Sequence, residues 1–283
     1  MARPDLRPVA SLWIGDRLTW FERVAIQSFI DHGHRFILYA YDPIEGVPAE
    51  VDLRPADEVL PRPERDLSDR ARRAIFSDTF RIEMILKTDA IWVDTDALCV
   101  APFEPVDDCF FGIEKHTGVV SNAMLRLPSD AAVTRDLHRL LTASEPILPW
   151  LRKAKRIELR HARHRGERWD MTRFRWGESG PRALTFYLRH HGLHGRAFAR
   201  HVLYPLNFPL NTVLFEPSYT LSAIEQPGSL SVHFYGGTKH RMRELGLLTP
   251  PAGSYFEAIC ARHGIDPAAH PLPALPAEER AAP

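Results

Sequence analysis

The first forty residues alternate between strand-like and helix-like patterns, and this order constrains the fold more than any other feature of the sequence. Residues 9–14 form a short apolar run that Gly15 ends, as in a buried strand that opens into a turn. Residues 18–31 place apolar side chains three and four positions apart, which predicts an amphipathic helix that stops at Gly33. Residues 35–41 predict a second strand. A strand, a helix and a strand in this order predict a parallel βαβ unit with a right-handed crossover.

The rest of the chain continues this alternation. With 45% hydrophobic residues the sequence can build a large core, so we predict an α/β fold with a mixed sheet flanked by helices, as one domain over residues 9–263. The further predicted strands cover residues 51–53, 90–93, 109–114, 119–127 and 229–235. The further predicted helices cover residues 67–87, 129–141 with Ser129 as the cap, and 181–191 with Pro181 in the first turn.

Two segments fall outside this pattern. Residues 152–176 carry ten Lys and Arg residues against three acidic ones, with few aliphatic side chains, and therefore predict an excursion from the core. This segment is either a solvated loop or a site for an anionic ligand, since Arg side chains bind phosphate with two parallel hydrogen bonds. Residues 266–283 are rich in Pro and Ala and predict a loosely packed tail.

Charge and cysteine content restrict the cellular setting. Lys and Arg together number 36, as do Asp and Glu, so net charge gives no reason to expect a nucleic-acid partner. The three cysteines are widely spaced and include no Cys-x-x-Cys pair, which argues against a disulfide framework. The sequence shows no signal-peptide apolar region and no run near the roughly 20 apolar residues of a membrane span. These features predict a cytoplasmic protein without a transmembrane segment.

The sharpest chemical feature is Asp94-Thr-Asp96, which directly follows the predicted strand over residues 90–93. Carboxylates at the end of such a strand lie at the edge of the sheet where open α/β folds bind ligands. A spacing of two along an extended chain points both side chains in one direction, so that they could share Mn²⁺ or Mg²⁺ beside a diphosphate. The alternative is a turn in which the Asp side chains accept hydrogen bonds from backbone amides.

A second feature lies on the predicted helix that precedes this strand. Asp78 and Arg81 are one helical turn apart, so both can face one ligand or form an ordinary surface ion pair. The order in which the helix pair and the Asp94-x-Asp96 motif occur is more informative than the pair alone.

Six short segments follow one another along the chain: Leu12-Trp13-Ile-Gly15, Ser77-Asp78-x-x-Arg81, Asp94-x-Asp96, Ser121-Asn122-Ala-Met, Ser179-Gly180-Pro181 and Val232-His233-Phe. This series resembles the glycosyltransferase family whose sugar-binding region contains a DXD motif, and the chain is similar to a divergent bacterial member. The family includes yeast-type mannosyltransferases and α-1,4-galactosyl- or N-acetylglucosaminyltransferases. The chain departs from the family pattern at Arg81-Ile82, where the family usually has Arg-Tyr.

The resemblance implies a GT-A-like, Rossmann-like fold with residues 152–176 as an acceptor-side insertion. It implies metal-dependent transfer of a hexosyl unit from a UDP- or GDP-linked donor to a hydroxyl of a glycan or glycolipid, with retention of anomeric configuration. The acceptor could be anionic and lie at the inner face of the membrane, as in polysaccharide biosynthesis. The resemblance assigns metal binding and catalysis to Asp94 and Asp96, and donor binding to Trp13, Gly15, Asp78, Arg81, Asp94, Asn122 and Gly180.

Two further residues have a functional and a structural interpretation. His233 could complete a metal site as a neutral imidazole ligand, or it could be a hydrogen-bonded core residue of its strand. Glu178 could act on the acceptor hydroxyl or stabilise the positive charge that glycosyl transfer builds at the anomeric carbon. Alternatively, Glu178 is an acidic residue at the start of a helix, where its negative charge interacts favourably with the helix dipole.

Two other functions are compatible with Asp-x-Asp after an apolar strand. In haloacid-dehalogenase-like phosphatases the first Asp, here Asp94, is the nucleophile beside Mg²⁺, but that signature continues with Gly-Thr or a similar small pair instead of Ala97-Leu98. The third hypothesis is a noncatalytic nucleotide-sugar-binding module, because a fold alone does not fix chemistry.

Overall fold

The structure, a computed structural model, describes residues 6–64, 66–206, 208–219 and 221–275. Helices and strands alternate along these residues, as the sequence pattern predicts. The strands are β1 (Val9–Trp13), β2 (Phe36–Ala40), β3 (Asp52–Pro55), β4 (Ile91–Val93), β5 (Ala97–Cys99), β6 (Phe110–Lys115), β7 (Val119–Arg126) and β8 (Ser231–His233). The helices are α1 (Trp20–Asp31), α2 (Arg70–Lys87), α3 (Ala132–Leu141), α4 (Lys153–His164), α5 (Ala183–His190), α6 (Arg200–Leu203), α7 (Leu221–Ile224), α8 (Gly236–Glu244) and α9 (Tyr255–Arg262).

The predicted opening βαβ unit is present. β1 and β2 are parallel, with Val9 opposite Phe36, and α1 forms the connection between them. Helix α1 begins after Thr19, whose backbone N–H donates to the Glu22 carboxylate over 3.0 Å. This contact satisfies an amide that a helix start would otherwise leave unpaired. All residues of β2 are buried, as expected for an inner parallel strand covered on both faces.

The strands form a mixed six-stranded sheet in the order β3-β2-β1-β4-β7-β6. β1, β2 and β3 are parallel, whereas β6 and β7 are antiparallel. This arrangement confirms the predicted α/β class with a mixed sheet. A separate antiparallel pair joins β5 to β8. No helix in the described ranges is both long and apolar enough to cross a bilayer.

Internal contacts divide the chain into two compact units, each assembled from separated segments. Unit 1 comprises the described residues of Met1–Pro55, Val93–Glu104 and Phe198–Pro283, and unit 2 comprises those of Ala56–Trp92 and Pro105–Ala197. The core of unit 1 is aromatic, with the rings of Phe234 and Phe256 perpendicular at 5.0 Å between centroids. In unit 2 the buried Arg126 donates to the Thr88 carbonyl over 2.7 Å and pairs with Asp108 over 2.9 Å. The predicted single domain over residues 9–263 stays a prediction.

The basic segment over residues 152–176 is not an irregular loop, because α4 occupies its first half. Leu159 and Ala162 lie three positions apart on one face of α4 and are buried against Trp169. Ile147, Leu151 and Phe174 pack against the same cluster, so a narrow apolar stripe holds a helix that is otherwise rich in charged residues. The sequence pattern missed this helix because its apolar stripe is so narrow.

Three other boundaries differ from the prediction. Ser129 does not cap α3, because the residue before that helix is Ala131. Pro181 lies in a π-helical turn over Glu178–Arg182, and α5 follows it. The first part of the predicted tail is packed instead of loose, since Leu272 and Leu275 are buried; residues 276–283 of that tail lie outside the described residues.

Candidate functional site

Asp94, Asp96 and His233 converge in unit 1. The two aspartates follow β4, and His233 ends β8, which pairs with β5 so that His233 lies opposite Ala97. This register places the imidazole next to the residue before Ala97, which is Asp96. The three side chains offer ligand atoms that all lie within 4.8 Å of one another. A strand pairing that links residues far apart in sequence thus builds the cluster, which we call the Asp94 cluster.

Asp96 is held at several points. Its carboxylate Oδ1 lies 3.0 Å from His233 Nε2, and its backbone carbonyl accepts the Phe234 N–H over 2.7 Å. Burial raises the pKa of Asp96, but His233 and the backbone amides of Asp96 and Gly236 outweigh it, so that the pKa lies below its usual range. An aspartate whose only role is to stabilise a turn would make the same kind of contact with a backbone amide, here that of Gly236. Asp96 therefore combines that backbone contact with membership of the Asp94 cluster.

Tyr235, to which no sequence motif points, packs against His233. Its φ of 62° is in the left-handed region, which residues other than glycine rarely adopt. Its ring lies 4.2 Å from the His233 ring between centroids, and its hydroxyl donates to the Leu206 carbonyl over 3.1 Å. Strained backbone of this kind concentrates at functional sites. The sequence signal was the abrupt change from strand to Gly236-Gly237, which also begins α8.

The chemistry of the Asp94 cluster fits a divalent cation. Two carboxylates and one imidazole supply oxygen and nitrogen donors on the same side, within the spacing that one ion can bridge. Carboxylates suit Mg²⁺ and Mn²⁺, and an imidazole donor adds preference for transition metals. Mn²⁺ therefore fits the complete set better than Mg²⁺, while Asp94 and Asp96 alone would fit either ion.

Trp13, the last residue of β1, and Gly15 lie close together in unit 1. A Cβ atom on Gly15 would lie 3.1 Å from Trp13 Nε1, so the small residue allows the backbone to approach the indole. Trp13 Nε1 is buried and, among the described residues, has no hydrogen-bond partner. Lys239 Nζ lies 5.8 Å from the Trp13 ring centroid and pairs with Glu22 over 2.6 Å. The indole N–H is therefore a donor that the fold itself does not use.

Unit 2 contains a second polar cluster around Asp78, on α2. Asp78 Oδ1 accepts from Arg81 Nη1 and from Asn122 Nδ2, each over 2.7 Å, and Oδ2 accepts from Ser179 Oγ over 2.6 Å. Residues 78, 122 and 179 are distant in sequence, and the fold brings them together. We call Asp78, Arg81, Asn122, Ser179 and Gly180 the Asp78 cluster.

Gly180 and Trp92 complete the surroundings of the Asp78 cluster. A Cβ atom on Gly180 would lie 2.8 Å from Asn122 Nδ2 and 3.0 Å from both Asp78 carboxylate oxygens. A larger residue at this position would therefore force the side chains of Asn122 and Asp78 to shift. The Arg81 guanidinium lies 4.7 Å from the Trp92 ring centroid, which adds a cation–π contact to its ion pair with Asp78.

Glu178 is buried in unit 2, and both of its carboxylate oxygens have partners. Trp150 Nε1 donates to Oε2 over 2.5 Å, and Arg182 Nη1 pairs with Oε1 over 3.1 Å. The pair with Arg182 is the i,i+4 contact expected of an acidic residue at a helix start. Trp150 was not singled out from the sequence.

The structure groups the predicted residues into two sets. Asp94, Asp96 and His233 lie together, and their role as metal ligands stays a prediction. Four of the predicted donor-binding residues meet in the Asp78 cluster, together with Ser179 from the matching segment Ser179-Gly180-Pro181. Unit 1 holds Trp13, Gly15, Asp94, Asp96 and His233, and unit 2 holds Asp78, Arg81, Asn122, Glu178 and Gly180.

Comparison with known proteins does not name a family. No model of a known protein family matches the chain, and no curated protein matches it.

Proposed function

We propose that this chain is a glycosyltransferase with a GT-A-like fold that moves a hexosyl unit from a nucleotide-diphospho-sugar to a hydroxyl acceptor, with a divalent cation at the Asp94 cluster. The donor class is UDP- or GDP-linked, and the acceptor is a glycan or glycolipid. The observation that carries the proposal is the convergence of Asp94, Asp96 and His233. These residues are separated by up to 139 positions, yet their potential ligand atoms all lie within 4.8 Å of one another.

The position of the Asp94 cluster supports a phosphate-bearing ligand. Asp94 and Asp96 follow β4, an inner strand of the mixed sheet, and open α/β sheets bind ligands beyond the carboxyl ends of their strands. Two carboxylates alone would repel a diphosphate. A cation held by Asp94, Asp96 and His233 would supply positive charge to stabilise the departing nucleoside diphosphate.

The Asp78 cluster supports the same proposal independently. Asp78, Arg81, Asn122 and Gly180 were selected because they resemble donor-binding residues of one family. Hydrogen bonds join Asp78 to Arg81 and Asn122, and Gly180 packs closely against Asp78 and Asn122. Asp78 accepts three hydrogen bonds and therefore positions Arg81, Asn122 and Ser179 instead of offering a vacant oxygen. Under this proposal Asn122, which is partly exposed, is the member that contacts the sugar.

Glu178 is the proposed third catalytic carboxylate. Trp150 and Arg182 fix both of its oxygens, so its orientation is defined before any substrate binds. A fixed negative group could stabilise the positive charge that develops at the anomeric carbon during transfer. The proposed setting is the cytoplasm, at or near the inner face of the membrane if the acceptor is a glycolipid.

The test is a thermal-shift panel of UDP-, GDP-, ADP- and CMP-linked sugars, each with and without Mn²⁺. A ligand that binds only the folded state at about 100 times its Kd stabilises that state by roughly 2.7 kcal/mol. We expect one nucleotide class to stabilise the wild type only when Mn²⁺ is present. Asp96→Ala should abolish this shift, and Asp130→Ala, at an exposed aspartate outside both clusters, should preserve it.

Other outcomes would replace the proposal. Stabilisation by Mg²⁺ with phosphate mimics, and by no sugar nucleotide, would favour the phosphatase with Asp94 as its nucleophile. A metal-dependent shift without transfer or slow hydrolysis of any donor would favour a noncatalytic nucleotide-sugar-binding module.

A further inference from the structure

A basic cavity of about 350 Å³ lies in unit 2, between α3, α4 and α5. Four arginines line it, together with Asp136, Glu145 and Tyr187. Its volume is within the range of small-molecule sites in proteins. None of the residues assigned to the Asp94 or Asp78 cluster lines this cavity, so the proposed glycosyl transfer does not account for it. The lining arginines are Arg139, Arg156, Arg160 and Arg163.

Helix α4 provides three of these arginines from one face. Arg156, Arg160 and Arg163 follow the i, i+4, i+7 spacing, which places side chains in a row along a helix. An adjoining face of α4 is held to the unit by Leu159 and Ala162. The packing of α4 therefore fixes the face that presents its guanidinium groups to the cavity.

The acidic residues of the cavity are already engaged. Asp136 pairs with Arg139 over 3.0 Å and lies 2.9 Å from His191 Nε2. The Glu145 carboxylate pairs over 2.6 Å with Arg168, which does not line the cavity, and the Glu145 backbone carbonyl accepts from Arg163. Within the described ranges Arg156, which is half-buried, and Arg160, which is exposed, line the cavity and have no ion-pair partner.

The lining of the cavity includes an unused hydrogen-bond donor and a tyrosine hydroxyl. Arg156 Nε is buried, and no described group accepts a hydrogen bond from it. Tyr187 lines the same space, and burial, followed by Asp136, raises the pKa of its hydroxyl above the usual tyrosine value. A buried guanidinium N–H without a partner is costly, whereas a bound anion would satisfy it.

We propose that this cavity is a binding site for a phosphate-bearing ligand, with Arg156 and Arg160 as the paired clamp. Two guanidinium groups without an ion-pair partner among the described residues match the charge of a phosphate monoester or a diphosphate, and their planar N–H pairs match its oxygens. The available volume accommodates the phosphate and a small attached group. The inference does not depend on the proposed glycosyl transfer or on a metal.

The test is calorimetric titration of the full chain with inorganic phosphate, pyrophosphate and glycerol phosphate, at constant ionic strength and with a chelator that removes divalent ions. We expect the wild type to bind, and R156Q/R160Q to bind at least about tenfold more weakly, since charge-assisted hydrogen bonds are among the strongest. R152Q/R175Q removes the same charge from exposed arginines outside the cavity and should bind like the wild type.

Folding of each variant is checked by circular dichroism. If R156Q/R160Q does not fold, R160Q alone, at an exposed position, should still weaken binding about tenfold. Absence of binding by the wild type, or binding by the folded cavity variant within about twofold of the wild type, would overturn the proposal.

Vesicles of phosphatidylcholine with and without phosphatidic acid identify the source of the phosphate. Binding of glycerol phosphate as tight as that of phosphatidic acid vesicles indicates a soluble ligand. Much tighter binding to the phosphatidic acid vesicles, lost in R156Q/R160Q and kept in R152Q/R175Q, indicates a lipid head group.

Discussion

Asp78 and Asp96 are both partly buried carboxylates in clusters built from distant parts of the chain, yet their neighbours differ in kind. The neighbours of Asp78 are donors: a guanidinium, an amide and a hydroxyl all reach it within 2.7 Å. The nearest partners of Asp96 include His233 and a second carboxylate, Asp94, within the same small volume. One carboxylate is surrounded by groups that satisfy it, and the other shares its surroundings with a like charge.

This difference indicates that Asp78 organises its neighbours, whereas Asp96 is suited to binding a cation. A carboxylate that accepts three strong hydrogen bonds holds its partners in place and has little to offer a ligand. Two neighbouring carboxylates with an imidazole gain from a shared cation, because the cation offsets their mutual repulsion. We therefore expect changes at Asp78 to act mainly on folding and changes at Asp96 mainly on metal-dependent binding.

Asp78→Ala is expected to have the largest effect on stability. The side chain of Arg81 is only 5% exposed, so removing Asp78 leaves a buried guanidinium that cannot lose its charge. Breaking such a pair typically costs about 3–5 kcal/mol. We expect a loss of this size in the free energy of unfolding, measured by urea denaturation.

Two variants serve as controls for this prediction. Asp96→Ala leaves behind His233, an imidazole that can be uncharged. The loss in the free energy of unfolding should therefore be smaller in Asp96→Ala than in Asp78→Ala. Glu158→Ala breaks an exposed i,i+3 pair with Lys155 on α4 and should leave stability unchanged. An equal loss in Asp78→Ala and Asp96→Ala would remove the distinction between the two clusters.

Gly180→Ala tests whether the Asp78 cluster depends on close packing. The added methyl group would lie 2.8 Å from Asn122 Nδ2 and 3.0 Å from both Asp78 oxygens, so the network must shift to accept it. Overpacking of this kind costs roughly 1–3 kcal/mol. Gly195→Ala is the matched control, since nothing lies within 4 Å of its added carbon. Unfolding free energies that match in both variants would show that the Asp78 cluster tolerates rearrangement.

The sequence predicted much of the fold because long elements carry strong periodic signals. The β1-α1-β2 unit, α2, β4, β6 and β7 were all expected from apolar spacing and turn residues. Helix α4 was missed because its buried face consists of little more than Leu159 and Ala162. The packed part of the tail was missed because Leu272 and Leu275 are isolated among prolines, and only tertiary contacts show that they are buried.

The candidate site shows the same division between local and tertiary information. The spacing of Asp94 and Asp96 after a strand is visible in the sequence, but the pairing of Ala97 with His233 is a long-range register that no local pattern encodes. Likewise, the helical spacing of Asp78 and Arg81 is local, whereas the approach of Ser179 depends on the shape of the turn around Gly180. The identity of residue 235 as a tyrosine does not predict its positive φ, because the surrounding structure sets this backbone conformation.

His34 contributes to the pH dependence of folding. This dependence must be known before a pH titration of cation binding at the Asp94 cluster can be compared with the behaviour of the Asp78 cluster. The Phe103 N–H donates to His34 Nε2 over 2.9 Å, so Nε2 is an acceptor and Nδ1 carries the proton that faces the Arg7 carbonyl. Burial lowers the pKa of His34, and His32 adds to this, against opposing contributions from the Arg7 carbonyl and Glu104.

The sign of the His34 effect follows from the lowered pKa. The unfolded chain binds a proton at the ordinary histidine pKa of about 6.5, before the folded protein does. The stabilising contribution is therefore complete above that pH and is lost as the pH falls towards the lower folded pKa, with a slope of at most about 1.4 kcal/mol per pH unit. Urea denaturation at several pH values should show a steeper acid loss in the wild type than in His34→Gln, and His240→Gln, at an exposed histidine, should follow the wild type. Parallel profiles for the wild type and His34→Gln would mean that His34 accepts a proton without loss of its hydrogen bond from Phe103.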